Sequence, residues 1–133
     1  KKQVDDMKAS ILCYKIGTQK MAQLRAIAAP LRIAVKEVVP EEICQKVGYL
    51  AGLSGYESAE PAADMPQGAY GEFLLMCDLS KVQFDLLMGA FQRRKIAPIP
   101  VKAMMTPTNR DWSFAELMQE VYLEHKSMHG KRV

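Results

Sequence analysis

The sequence has few of the residues that build disulfide frameworks or metal sites. Its three cysteines, Cys13, Cys44 and Cys77, form no CxxC pair and are odd in number. That pattern argues against a disulfide framework and a cysteine zinc site, and it fits a reducing compartment. The two histidines, His125 and His129, lie four residues apart without an HExxH pattern. We therefore expect no metal ion, and no motif indicates another cofactor.

Long apolar runs and a strong net charge are also missing. No stretch approaches the length of a membrane-spanning helix, and none has the pattern of a secretory signal. The net charge is only +3, whereas nucleic-acid-binding domains usually carry a strongly basic face. The basic run at 93–95 is better explained as the solvated end of a helix. We therefore expect a cytoplasmic protein that binds neither membranes nor nucleic acids.

Catalytic motifs are absent as well: the sequence contains no GxSxG, no P-loop and no GxGxxG. The only constellation of interest is Cys77 followed by Asp78 at the end of an apolar run. A phosphoacceptor arrangement would need an acidic pair after the first strand, where Ile16 and Gly17 stand instead. We assign no catalytic residue, and an enzyme using Cys77 and Asp78 is the least favoured alternative.

The composition provides for one folded domain. The chain has 133 residues, of which 49% are hydrophobic, enough for a single core of common size. Apolar runs predict strands at 11–16, 33–38, 73–77 and 99–105. The first and third runs are almost continuously apolar, which is typical of strands buried on both faces. The other two alternate and carry a lysine, and the last contains Pro100, so both are predicted at sheet edges.

Helical spacing of apolar residues predicts four helices. They lie at about 21–31, 40–51, 84–91 and 114–128. Pro30 leaves the end of the first helix undefined, whereas Pro40 suits the first turn of the second. The many methionines on these faces are interpreted as core filler.

The order of elements is βαβα twice, around an aperiodic connector. We predict a single α/β domain, 1–133, with a four-stranded sheet built from two βαβα halves, about 8–53 and 70–128. The connector, 54–69, is predicted to be flexible, and the alternative is an ordered lid. The first and third strands are expected to be central, and the sequence allows them to run either parallel or antiparallel. The alternative fold is a ferredoxin-like α+β sandwich with added helices.

The two halves share a short pattern. IAVKEV at 33–38 and IPVKAM at 99–104 both read I-x-V-K-x-apolar after an apolar strand and a helix. This match places Lys36 and Lys102 in similar positions. A lysine at such a position is commonly a guard against edge-to-edge pairing of strands.

The connection from the fourth strand into the fourth helix, VKAMMTPTNRDW at 101–112, is unusually polar. Ser113 and Glu116 fit a capping box, and Ser80 and Gln83 repeat it before the third helix.

Capping leaves a set of polar side chains unexplained, and these are our candidate ligand-binding residues: Lys102, Thr106, Thr108, Asn109 and Arg110. Ligands favour the carboxyl ends of strands in open α/β sheets, and helix N-termini favour anions. The alternative is turn chemistry, because Thr, Asn and Asp readily hydrogen-bond their own backbone.

The second half resembles a known family. The residues that carry the likeness are EFLLMCDLSKVQFDLLMGAFQRRKI at 72–96 and VKAMMTPTNRDWSFAELMQEV at 101–121. Lys102, Thr106, Asn109 and Trp112 are its most telling positions. Over roughly 71–124 the chain is similar to the small bacterial proteins grouped as domain of unknown function 3783. The family has no assigned activity, so the resemblance implies no chemistry, but it directs attention to Lys102, Thr106 and Asn109.

Three functional hypotheses follow. The first is a non-catalytic binding or regulatory module for a small polar or anionic ligand near Lys102, Thr106, Asn109 and Arg110. The second is a protein-interaction module, including self-association as a homodimer, which is suggested by the edge strands and the methionine-rich helices. The third is the enzyme based on Cys77.

Overall fold

The computed structural model describes residues 9–59 and 71–132, with side chains as far as 126. Four strands and four helices are found in this part of the chain. In order they are β1 Ser10–Tyr14, α1 Thr18–Ala28, β2 Ala34–Val38, α2 Val47–Leu50, β3 Phe73–Cys77, α3 Lys81–Arg93, β4 Lys102–Met104 and α4 Phe114–Arg132. The structure is a single α/β domain with a four-stranded mixed sheet, as the sequence predicts.

The sheet order is β2-β1-β3-β4. The central position of β1 and β3 is confirmed, and every residue in both strands is buried. Parallel pairing joins β1 to β2 and β3 to β4, whereas β1 and β3 run antiparallel. The question that the sequence left open is therefore answered: the two halves meet through their first strands, which run in opposite directions.

Helices cover both faces of the sheet and create two apolar cores. On one face, α1 and α3 bury Leu24 and Leu87 against Ile11 and Leu74. On the other, α2 and α4 pack against Leu12, Tyr14, Phe73 and Leu75. Phe114 of α4 lies at the centre of this second core, with its ring centroid 5.5 Å from that of Phe73. Burial on both faces explains why β1 and β3 are continuously apolar.

The two halves share a backbone pattern with a constant spacing. Lys15 and Asp78, directly after β1 and β3, both adopt positive φ, and they lie 63 residues apart. Arg32 and Lys95, after the following helices, also adopt positive φ at the same spacing. Repeated left-handed residues at equivalent positions indicate that each strand–helix unit turns in the same way.

The register of the sheet shows that Lys36 and Lys102, which the sequence pattern aligned, are not equivalent positions of the repeat. Lys36 pairs with Leu12, whereas Lys102 pairs with Leu74. Leu12 belongs to the α2/α4 core and Leu74 to the α1/α3 core. The two lysines that match in sequence therefore face opposite layers, because a shift of one residue moves a side chain to the other face. The counterpart of Lys36 in the second half is Ala103, the partner of Leu75.

Two predicted elements are shorter than expected. β4 covers Lys102–Met104 only, and Pro98 and Pro100 precede it. The second predicted helix is divided into a 3-10 turn, Pro40–Glu42, and the four-residue α2. Its interruption has a tertiary cause, described next. Residues 60–69 of the predicted connector lie outside the described residues.

The interruption joins the two halves. The backbone carbonyls of Ile43 and Gln45 accept hydrogen bonds from the amides of Ala115 and Phe114, both at 2.9 Å. The amide of Val47 donates to the carbonyl of Trp112, also at 2.9 Å. The carbonyls of Ile43 and Gln45 therefore accept hydrogen bonds from the start of α4 and not from amides of their own helix. For this reason a continuous helix cannot form here.

Candidate functional site

Thr106 and Asn109 bind one another in the loop that follows β4. The amide of Thr106 donates to Asn109 Oδ1 at 2.8 Å, and the amide of Asn109 donates to Thr106 Oγ1 at 3.0 Å. Asn109 Nδ2 also donates to the carbonyl of Met104 at 3.1 Å, and Asn109 is buried. Both side chains therefore fold this loop. The turn chemistry weighed in the sequence accounts for these two residues.

The other candidate residues are exposed and do not converge on one point. Thr108 and Arg110 lie on the loop surface. Lys102 stands at the start of β4, where its Nζ donates to the carbonyl of Ile99 at 2.7 Å. Four residues along a strand span about 13 Å, so Lys102 and Thr106 lie at opposite ends of β4. The five residues consequently do not form one compact set.

The capping interactions expected before α3 and α4 are present. Ser80 Oγ accepts from the amide of Gln83, whose side chain accepts from the amide of Ser80. Ser113 and Glu116 make the same reciprocal pair at 3.0 and 3.1 Å. These caps confirm the local interpretation of both stretches.

Cys77 has the environment of a structural thiol. Burial raises its pKa to about 12, and this outweighs the lowering effect of the hydroxyl of Ser10. Burial likewise raises the pKa of Cys13 to about 12. Neither thiol is a thiolate at neutral pH, whereas nucleophilic cysteines have a lowered pKa. Asp78, the other member of the enzyme hypothesis, is exposed and adopts positive φ.

Within residues 9–59 and 71–126, no group of three or more His, Cys, Asp or Glu side chains is placed to hold a metal ion. His125 lines a shallow cleft of about 140 Å³ with Lys102, Val121 and Glu124. The side chain of His129 lies outside the described ones. No helix in the described part of the chain is both long and apolar enough to cross a membrane.

A second shallow cleft lies beside the carboxyl ends of β1 and β2. It has a volume of about 280 Å³, and Ile16, Met21 and Ala22 provide its apolar part. Arg25 and Glu37 provide charges of both signs, and Arg25 Nη1 also donates to the carbonyl of Val35 at 3.2 Å. Thr18 completes the lining. Sequence reasoning missed this cleft because its residues come from a helix and a strand that carry no motif.

The outer face of α3 is apolar where the equivalent face of α1 is polar. Val82 is 66% exposed and Leu86 is 44% exposed. At the 63-residue spacing of the repeat, their counterparts in α1 are Gln19 and Gln23. Residues four apart on a helix are neighbours on its surface, so Val82 and Leu86 form one patch. This difference could have been found in the sequence only with the correct register of the repeat.

A third feature is the contact between Tyr56 and the candidate loop. The Tyr56 hydroxyl donates to the carboxylate of Asp111, and this hydrogen bond raises the pKa of Tyr56. The side chain of Gln45 holds the backbone of Ala59 through two hydrogen bonds. Neither Tyr56 nor Gln45 was a candidate in the sequence, because each acts through residues far away in the chain.

Comparison with known proteins supports the resemblance noted in the sequence. The model of the family described as Domain of unknown function (DUF3783) matches residues 72–128. This segment runs from the residue before β3 into α4 and makes up less than half of the chain. The searches against curated proteins and against solved structures give no match.

Proposed function

We propose that this protein is a non-catalytic interaction module that self-associates through the outer face of α3. The observation that carries the proposal is the exposed pair Val82 and Leu86. The equivalent positions of α1 in the internal repeat are the polar residues Gln19 and Gln23. Scattered apolar side chains on a surface need no explanation, but a pair on one helix stripe is typical of helix packing. The internal repeat supplies the comparison: the same backbone unit is polar on this face in one copy and apolar in the other.

Gly89 extends the stripe. It follows Val82 and Leu86 at helical spacing, and the end of the Arg93 side chain lies 3.1 Å from where a Cβ of Gly89 would be. Glycine lets a second helix approach closely once the flexible arginine moves aside. The stripe therefore combines a large exposed side chain, Leu86, with Gly89 about one turn further along, where the absence of a side chain leaves a groove.

A second copy of the chain fits this stripe. If two α3 helices pack antiparallel about a two-fold axis, Leu86 of each copy faces Gly89 of the other, and both contacts form together. The same pairing places Arg93 of one copy near the N-terminal half of α3 of the other copy, where Asp85 lies. Asp85 already binds Lys81 of its own helix at 2.9 Å in an exposed pair, which contributes little to stability and is easily rearranged.

The sheet edges do not supply an equally good contact. One outward-facing carbonyl on each edge is occupied by a side chain: Arg25 binds that of Val35 in β2, and Asn109 binds that of Met104 in β4. Covered edges disfavour the addition of another strand. This supports the helix over the edge strands as the surface for association.

The test is the oligomeric state of the double variant Val82→Gln/Leu86→Gln, which gives α3 the residues of α1. Light scattering across micromolar to millimolar concentrations should show a dimer for the original sequence and a monomer for the variant. The matched control, Gln19→Ala/Gln23→Ala on α1, should remain dimeric. A monomer at every concentration for the original sequence would overturn the proposal.

A second candidate function is the binding of a small polar ligand with an anionic group. The cleft of about 280 Å³ favours it, because an apolar floor with a few convergent polar groups is the usual form of a small-molecule site. Arg25 would bind the anionic group of the ligand, and Glu37 a donor or cation. In the original candidate loop, Thr108 and Arg110 keep the same potential, since Thr106 and Asn109 already bind one another.

A thermal-shift screen of amino acids, organic acids and phosphorylated metabolites tests this candidate, because a ligand that binds the folded state raises the melting temperature. Loss of a hit in Arg25→Met would assign it to the cleft. Loss in Thr108→Ala/Arg110→Ala would assign it to the loop. No hit at millimolar concentration, for any compound class, would reject the candidate.

A further inference from the structure

After α2 the chain turns back and holds residues 56–59 against α2 and the loop before α4. Gly52 and Gly55 form this return with φ values of +83° and +91°, which L-residues rarely adopt. The returning residues then meet three separate features of the body of the protein: the side chain of Gln45, the bare backbone of Gly48 and the carboxylate of Asp111.

Gln45 binds the returning segment through its backbone. The amide of Ala59 donates to Gln45 Oε1 at 2.8 Å, and Gln45 Nε2 donates to the carbonyl of Ala59 at 3.2 Å. Nε2 also approaches Ser58 Oγ at 3.5 Å. A side-chain amide that both donates to and accepts from one residue reproduces the pairing between neighbouring strands. Such a contact recognises the backbone of the bound residue and not a particular side chain.

Gly48 and Asp111 recognise an aromatic hydroxyl. A Cβ on Gly48 would collide with the ring of Tyr56, so only glycine leaves room for that ring. The hydroxyl at the far end of the ring donates to the Asp111 carboxylate. The ring of Tyr56 lies on Gly48, and its hydroxyl binds Asp111. Since Gln45 binds the backbone of Ala59, the site fixes a spacing of three residues between the tyrosine and the backbone contact.

Hydrogen bonds from side chains of the body of the protein hold the segment. In the part of the chain that the structure describes, no backbone–backbone hydrogen bond joins residues 56–59 to the rest of the protein. The net contribution of a single hydrogen bond to stability is small, because the same groups bind water when the bond is broken. An occupant held by so few bonds can be displaced by another chain that makes the same ones.

We propose that Gln45, Gly48 and Asp111 form a binding site for a peptide with a tyrosine three residues before the residue whose backbone Gln45 binds. Residues 56–59 are then an intramolecular occupant that an external peptide replaces. The affinity of the external peptide is reduced by the high effective concentration of the chain's own segment. This proposal is independent of α3 and its association, because the two surfaces share no residue.

The experiment uses a labelled peptide, LSGYESA, which is the sequence of residues 53–59. The site is emptied in the full chain by Tyr56→Ala/Ala59→Pro, since proline removes the amide that Gln45 binds. Fluorescence anisotropy should show saturable binding to this variant, at least about tenfold tighter than to the original sequence. The added substitution Gln45→Ala should abolish the binding, and a peptide with Phe in place of Tyr should bind more weakly.

Failure of the peptide to bind the emptied variant, while that variant still unfolds cooperatively, would overturn the proposal. If the double variant does not fold, Tyr56→Phe replaces it, because this change removes only the hydroxyl. It should bind the peptide more tightly than the original sequence does. Equal affinity for the two proteins, or binding to neither, would count against the site.

Discussion

Asn109 Nδ2 donates to the backbone carbonyl of Met104, across the bend between β4 and α4, at 3.1 Å. This carbonyl points away from β3, because the neighbouring residues Ala103 and Met105 make the bonds of the β3–β4 ladder. One buried amide therefore closes the loop and covers the edge of the sheet. The most distinctive polar residue of the loop is in this way accounted for by folding.

Replacement of Asn109 should consequently destabilise the protein. Asn109→Ala removes two side-chain hydrogen bonds and leaves the amide of Thr106 and the carbonyl of Met104 to water. We expect a loss of about 1–2 kcal/mol in the free energy of unfolding, measured by urea denaturation. Thr108→Ala, on the exposed side of the same loop, is the control and should change it by less than about 0.5 kcal/mol. A neutral Asn109→Ala would contradict the structural role.

The buried thiols should resist alkylation in the folded protein. Cys13 and Cys77 have pKa values raised to about 12 by burial. Iodoacetamide at neutral pH should modify them only after denaturation, as peptide mapping by mass spectrometry would show. Modification of Cys77 under native conditions, at a rate similar to that of a free thiol, would restore the enzyme hypothesis.

The same thiols should make stability fall at alkaline pH. An unfolded thiol loses its proton near its ordinary pKa of 9.0, whereas the folded thiol keeps it up to about 12. Above the lower value the unfolded state binds fewer protons, so the free energy of unfolding decreases as pH rises. The slope is about 1.4 kcal/mol per pH unit for each thiol. Urea denaturation at several pH values should show that the free energy of unfolding falls less steeply with pH in Cys77→Ala than in the original sequence. Equal dependence on pH in the two proteins would contradict the raised pKa of the buried Cys77 thiol.

Gly48→Ala should release the segment that carries Tyr56. The added methyl group would collide with the tyrosine ring, so we expect faster hydrogen exchange over 56–59. Hydrogen exchange with mass spectrometry measures this directly. Gly17→Ala is the control, because nothing lies within 4 Å of its Cβ position. Unchanged exchange in Gly48→Ala would mean that the ring does not lie on this glycine.

Gly89→Ala should stabilise the folded chain and at the same time weaken its dimer. Alanine in place of an interior helical glycine stabilises a helix by about 0.5–1 kcal/mol, and the nearest atom is the flexible end of Arg93. We therefore expect a higher melting temperature. If Leu86 of a second copy packs on Gly89, the same change should weaken the dimer, which light scattering would detect. A stabilised protein with an unchanged dimer would argue against this packing.

Local patterns gave a sound account of single elements. Continuous apolar runs correctly placed β1 and β3 at the centre of the sheet, and the pattern before α4 correctly predicted the capping pair Ser113 and Glu116. Both features depend on neighbours in the chain: burial on two faces requires apolar side chains at successive positions, and a cap reaches only three residues. The strand–helix order of each half follows for the same reason.

Contacts between distant residues determined the rest. The sequence aligned Lys36 with Lys102, but pairing with Leu12 and Leu74 sends them to opposite faces. The second helix is broken at Gln45 because its carbonyl binds the amide of Phe114. Neither fact can be derived from local spacing, since a hydrogen bond between residues far apart depends on how the two halves dock.

The sequence by itself therefore determined the domain class, the central strands, the helix caps and the absence of catalytic motifs. The tertiary structure decided the antiparallel join of the halves, the internal use of Thr106 and Asn109, and the exposed pair on α3. The physical reason is the range of the interactions. Propensity, burial pattern and capping act within a few residues, whereas register and surface exposure depend on which distant backbone groups satisfy one another.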